Sequence, residues 1–146
     1  MSVLSVERKA EIEESFAKQG LMNTFKASLE EIGYGKMVVS MPYSQAVSQQ
    51  HQFFHGGVIG ALADTACGYA AISIIADGQA ALTAEYKINL LSPADGERLV
   101  AVGTIIKPGR TLITCQGEVF TEKEGKRKLC AIMLMTMCVV KNLGHK

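Results

Sequence analysis

With 146 residues, 48% apolar and 20% charged, the chain has the size and composition of one domain with its own core, which excludes a disordered chain. A formal net charge of +1 gives no basic surface for nucleic acid. The four cysteines (Cys67, Cys115, Cys130 and Cys138) have no C-x-x-C spacing, so reduced core thiols are expected rather than a disulfide framework or a zinc module.

The first twenty residues carry charges throughout and lack the apolar stretch of a secretion signal, so a cytoplasmic protein is expected. Residues 5–19 read as a surface helix. Ile12 and Phe16 lie four apart, charges cover the rest, and Gly20 supplies a stop. Residues 24–33 alternate apolar and polar, the pattern of a half-buried strand. Lys36–Met41 predicts a second strand after a Gly33–Gly35 turn, ended by Pro42. Residues 43–54 are polar and irregular up to Phe53 and Phe54.

Residues 55–74 predict a long apolar helix. It is not amphipathic, so it is expected to be wrapped on nearly all sides. The run 58–76 approaches the roughly 20 apolar residues of a membrane span. Asp64 at its centre would cost about 2.5–3.5 kcal/mol there, and the Ala- and Gly-rich surroundings do not offset that, so no membrane association is expected. Four extended runs follow: 80–91, 97–107, 111–121 and 128–140. They are separated by SPADG, PGR and KEGKR, all turn chemistry. The last, LCAIMLMTMCVV, is continuously apolar, as a strand buried on both faces would be. There are no repeats and no linker, so residues 1–146 form one domain. The class is α+β, with about six antiparallel strands curled around one helix. An open sheet edge and an apolar back face argue for oligomerisation.

The lone carboxylate in the helix is the first candidate for chemistry. Its helical neighbours Gly60, Ala61, Cys67 and Gly68 are small, so Asp64 would stand in a trench. The trench suits either close packing, with the carboxylate bonded to backbone, or a slot for substrate beside it. His55-Gly56-Gly57 opens the helix, where N–H groups lack intrahelical partners. Glycine there lets a ligand approach those donors, which suits a phosphate or a polarised carbonyl. Gly56 and Asp64 lie about 12 Å apart along one helix at 1.5 Å per residue. If both act on one substrate, they must come from two subunits.

Cys67 and His55 are about 18 Å apart on the same helix, too far for a nucleophilic pair. His51 and His55 have no third ligand nearby, and no metal is expected. Thr83 could hold a water or be an ordinary strand threonine. Lys107 and Arg110, in a basic turn, could meet phosphates or be merely solvated. Phe53, Phe54, Met133, Met135 and Met137 could line an apolar tunnel or be core; core is expected for the methionines.

The segments HGGVIGALAD (55–64), YKINLLSPA (86–94) and IKPGRT (106–111) together resemble the PaaI-like branch of hotdog-fold acyl-CoA thioesterases, over roughly residues 25–140. The resemblance implies a hotdog fold and hydrolysis of an acyl-CoA to free acid and coenzyme A, with no cofactor, since coenzyme A belongs to the substrate. It implies Asp64 as general base or nucleophile, the Gly56 N–H polarising the thioester carbonyl, and Thr83 positioning water. It places His55 beside that glycine, and Gly57, Phe54, Lys107 and Arg110 against substrate. It implies a homodimeric site and a dimer of dimers. The family often has Asn six residues before the His and Gly three before it; here Gln49 and Gln52 stand there, and Gln49 would bond the carbonyl or leaving group. Two other readings use the same pocket: a non-catalytic acyl-CoA-binding protein, and a hydratase of enoyl or hydroxyacyl thioesters in which His55 and Asp64 converge across subunits.

Overall fold

A computed structural model describes residues 2–141 and 143–144. Two helices lead, α1 (Val6–Ala17) and α2 (Gly20–Thr24), followed by β1 (Ser28–Gly33) and β2 (Lys36–Pro42). A single 3-10 turn at Gln45–Val47 precedes the long helix α3 (Gly56–Ile72). Four strands close the chain: β3 (Gln79–Leu90), β4 (Arg98–Pro108), β5 (Leu112–Lys123) and β6 (Lys126–Lys141). All six strands form one antiparallel sheet in the order β1-β2-β4-β5-β6-β3, with α3 against its concave face.

The sheet approaches α3 closely because both surfaces are small where they meet. A Cβ on Gly103 of β4 would lie 2.5 Å from the backbone oxygen of Ala66, and one on Gly117 of β5 would lie 3.1 Å from Cys67 Sγ. Leu62, Ala63, Ala66, Cys67, Ala70 and Ala71 are fully buried there. At α3's other end, α1 is strapped down by Arg8. Its guanidinium donates to the carbonyls of Ile72 (2.7 Å) and Ile75 (3.3 Å), which lack intrahelical donors. Ser5 caps α1 by accepting from the Arg8 N–H at 3.1 Å.

Three expectations need correction. Gly20 does not end the helical region; it begins α2. Met22 and Phe25 then bury one helical face, and Lys26 takes a positive φ of 55°, so β1 starts at Ser28 and not at 24. The apparent alternation at Phe25, Ala27 and Leu29 mixes a helix end with a strand. Second, β6 is buried on one face only. Met133, Met135 and Met137 point into the core as expected, while Ile132 and Leu134 face outward and are exposed. Third, the wrapping of α3 is incomplete: a line through Gly57, Ala61, Asp64, Gly68 and Ile72 is only partly covered.

The edge strand β3 is exposed over most of its length and pairs only with β6. A bulge between Thr83 and Glu85 resets its register, so Thr83 pairs with Met137, Tyr86 with Met135 and Ile88 with Met133. Those methionines are buried, so Thr83, Tyr86, Ile88 and Leu90 share the face that looks at α3.

Candidate active site

One line of α3 faces that side of β3. Gly56, Gly60, Asp64 and Gly68 recur every four residues and form a ridge with almost no side chains but one carboxylate. Each step meets a specific partner. A Cβ on Gly56 would stand 3.0 Å from Leu90 Cδ1, one on Gly60 would stand 3.5 Å from the Tyr86 hydroxyl, and one on Gly68 would stand 3.7 Å from Met137 Cε. Asp64 itself accepts a hydrogen bond from Thr83, Oγ1 to Oδ1, at 2.7 Å. The carboxylate is therefore bonded within its own chain by a side chain, where the sequence had left it without a partner or on backbone. It is also half-exposed and not buried. Thr83 occupies one carboxylate oxygen and leaves the other open to the cleft.

The expected trench is correct except for Cys67, which turns away from Asp64's open side into the core against Gly117. Burial pushes its thiol far above the ordinary range, with the neighbouring Cys115 and the Asp64 carboxylate adding to the shift. Burial likewise raises Cys115 and Cys130 to about 11. These thiols stay protonated at neutral pH and offer no nucleophile.

At the start of α3 the donors are nearly all engaged. His55 is the N-cap, and its Nδ1 accepts the Gly57 N–H at 2.9 Å. Its carbonyl accepts the N–H groups of Val58 (3.0 Å) and Ile59 (3.1 Å). That leaves the Gly56 N–H as the first-turn donor without an intrahelical acceptor. His55 thus shapes the turn through its ring, and the donor of Gly57 is already occupied.

Gly56 opens onto a cleft of about 380 Å³ lined by Gln49, Phe53, Phe54, Ile59 and the Leu90–Ala94 segment. The Gln49 side-chain oxygen accepts from the N–H groups of His51 and, at 3.4 Å, Phe53, which fixes the loop before α3. Phe54 is 2% exposed and packs edge-on against Tyr43, so it forms the floor of this cleft. Asp64 opens onto a separate cleft of about 190 Å³ lined by Gln19, Thr65, Gly68, Tyr69, Ile72, Ala81, Leu82, Thr83 and Met137. Eight residues of helix, about 12 Å, separate the two.

Lys107 and Arg110 are not brought to either cleft within the chain. Both are exposed near the β4–β5 turn, where Arg110 neighbours Ile74–Ala76 beyond the far end of α3. Among the described residues, no group of three or more His, Cys, Asp or Glu could hold a metal ion. Among the described residues, no helix is long and apolar enough to cross a membrane. Sequence reasoning missed Tyr86, Gln19 and Tyr69. Tyr86 sat inside a quoted motif without a reason to face α3, and Gln19 fell in a helix read as pure surface.

The model of the thioesterase superfamily matches residues 51–128, which contain α3, both clefts' α3 walls and β3 to β5. The chain belongs to that superfamily. A solved thioesterase family protein from Silicibacter pomeroyi is 36% identical over 92% of this chain and 99% of its own, with a TM-score of 0.90. The fold is the hotdog fold, with α3 as the central helix. The PaaI protein of E. coli shares it at a TM-score of 0.83 over 94% of this chain and 96% of its own, with 22% identity. BH2602 from Bacillus halodurans, solved with CoA, aligns at a TM-score of 0.76 and 25% identity over 92% of this chain and 85% of its own. The chain is a thioester hydrolase, and Asp64, Thr83 and Gly56 lie inside the matched region, while Gln49, Gln19 and Met137 of the cleft linings lie outside it.

Proposed function

We propose that the protein hydrolyses acyl-CoA thioesters at a site completed by a second copy of the chain. The observation that carries this is the pairing of chemistries on one face of α3. A carboxylate with one free oxygen stands at its middle, and a single uncommitted backbone donor stands at its start, too far apart to act together within one chain. Two antiparallel copies of α3 would set each Gly56 beside the other's Asp64. The exposed edge β3, which runs beside α3, supplies the surface for such a pair. That BH2602 was solved with CoA supports coenzyme A as the thiol half of the substrate.

In this reading Asp64 takes a proton from water through its free oxygen while Thr83 holds the other. The water attacks the thioester carbon. The partner's Gly56 N–H stabilises the oxyanion, a backbone donor being fixed in place before charge develops. Collapse breaks the C–S bond and expels coenzyme A as its thiolate, a better leaving group than an alkoxide. The thiolate takes the proton that Asp64 removed from water and so restores the carboxylate. Gln49 lines the Gly56 cleft, where its side-chain amide can donate to the carbonyl or the departing sulfur. His55 shapes the donor turn and Phe54 forms the substrate floor beside it, whereas Gly57, whose N–H His55 occupies, lies outside the lining of that cleft. Lys107 and Arg110 serve coenzyme A phosphates only across the assembled dimer. The outward apolar side chains Leu112, Ile132 and Leu134 support pairing of two dimers. Four free cysteines support a cytoplasmic setting. Thiol release from a panel of acyl-CoAs tests the reading: the wild type releases coenzyme A and Asp64→Ala does not. Equal rates for the two would exclude Asp64 as the base.

A further inference from the structure

The Gly56 cleft has a neighbour of opposite character. Pro93 lines both it and a cleft of about 420 Å³ at the β5–β6 hairpin. The loop between the two is fixed on both sides. Toward α3, the Phe54 N–H donates to the Ala94 carbonyl at 3.0 Å. Toward the hairpin, Asp95 holds Lys123 at 2.6 Å, and the Glu97 N–H donates to the Glu122 carbonyl at 2.8 Å. Lys123, Lys126, Arg127 and Lys128 line the hairpin cleft, against the two acids Asp95 and Glu124. Lys123 is engaged by Asp95, and Arg127 by Glu122 at 2.9 Å with its guanidinium over the Phe120 ring. Among the described residues, Lys126 and Lys128 have no acidic partner. Lys126 stands opposite Lys123 in the ladder and Lys128 opposite Thr121, so the three lysines share one face of the hairpin. Like charges placed directly opposite each other destabilise a strand pair, and an anion seated on that face would relieve the cost.

We propose that the hairpin cleft binds the phosphates of coenzyme A, with Lys126 and Lys128 as their counter-charges and Pro93 as the sill that the pantetheine arm crosses on its way from the Gly56 donor. The inference rests on the reading of the substrate as an acyl-CoA and names where its nucleotide end is held. Charge decides the direction. Coenzyme A carries a pyrophosphate and a ribose phosphate and is a polyanion at neutral pH. The Asp64 cleft has a carboxylate and no cation in its lining, so it repels such a group, whereas the hairpin attracts it. Lys107 and Arg110 lie near the β4–β5 turn, beyond the far end of α3 from Gly56. The wall at Pro93 is one chain thick, about 5 Å. A pantetheine arm extends to roughly 15 Å at 3.3–3.6 Å per three backbone bonds, enough to cross it. Lysine holds phosphate as a point charge on a flexible stem, which suits an exposed site.

The test is KM for one acyl group carried on coenzyme A and on pantetheine, which lacks the phosphates. It is measured for the wild type, for Lys126→Ala with Lys128→Ala, and for Lys107→Ala with Arg110→Ala. Both hairpin lysines are exposed, so the fold is expected to survive their loss. At low ionic strength the hairpin variant is expected to raise KM for the acyl-CoA about fivefold, the effect of two exposed ion pairs, with kcat unchanged. Its KM for the acyl-pantetheine is expected to match that of the wild type. Added salt is expected to raise the wild-type KM for the acyl-CoA and to narrow the gap between the two proteins. An equal change on both carriers would overturn the inference, as would a rise confined to the Lys107→Ala, Arg110→Ala variant. A wild type that hydrolyses neither carrier overturns the acyl-CoA reading and this inference with it. Turnover of both carriers, with KM for the acyl-CoA unmoved in the hairpin variant, overturns this inference alone.

Discussion

On the proposed reading, the two ends of the Gly56–Asp64 stretch of α3 solve different problems with the same helix. At its start the useful group is a backbone N–H, and the nearby side chains are either absent or engaged elsewhere. His55 caps the Gly57 donor, and Gly56 carries no side chain. At its middle the useful group is a side chain, and the surrounding glycines clear space for it. The first half-site depends on shape and tolerates a change of residue type so long as the N–H survives. The second depends on the chemistry of one carboxylate and on the hydroxyl that orients it. Substitutions should therefore act on the two through different routes.

The largest effect is expected at the side-chain half-site. Asp64→Ala should lower kcat about a thousandfold with little change in KM, the signature of a lost general base; single-turnover hydrolysis checks it. At the backbone half-site, Gly56→Pro removes the donor itself. Proline is favoured at the first residue of a helix, and His55 already has the extended backbone (φ −63°, ψ 136°) that a following proline requires. The nearest obstacle is the flexible end of Leu90. We expect a folded protein with kcat reduced about a hundredfold, the cost of one oxyanion donor. Thr83→Val should cost about tenfold in kcat, equivalent to one hydrogen bond to a charged group. The smallest effect belongs to His55→Ala, which loses a cap worth ~1 kcal/mol. Its Tm should fall by a few degrees in a thermal melt, with kcat changed less than that of Thr83→Val. If His55→Ala instead abolished turnover in a folded protein, the hydratase reading, with His55 as an acid or base, would gain.

Much of this site was legible in the sequence. The spacing of Gly56 and Asp64 already requires two chains if both act on one substrate, because helix rise is a fixed quantity. Asp64 in its small-residue surroundings stood out because so few charges interrupt residues 55–74. What the sequence hid were properties set by contacts between distant segments. The Thr83–Asp64 bond depends on a bulge in β3 that no local pattern announces. The outward face of β6 is apolar like its inward face, so the run LCAIMLMTMCVV could not disclose that Ile132 and Leu134 are uncovered in a single chain. Gln19 reaches the Asp64 cleft because α2 turns the chain after Gly20, where the composition suggested only a stop.

The central claim is that each site draws Asp64 from one chain and Gly56 from another. It is tested most directly by co-expressing Asp64→Ala and Gly56→Pro chains and measuring acyl-CoA hydrolysis of the mixture. Each mutant alone should be nearly inactive. Random pairing makes about half the dimers mixed, and each mixed dimer holds one intact site of two, so about one quarter of wild-type activity should return. If the mixture is no more active than its components, although mixed dimers are demonstrated by mass spectrometry, the site lies within a single chain and the claim is contradicted.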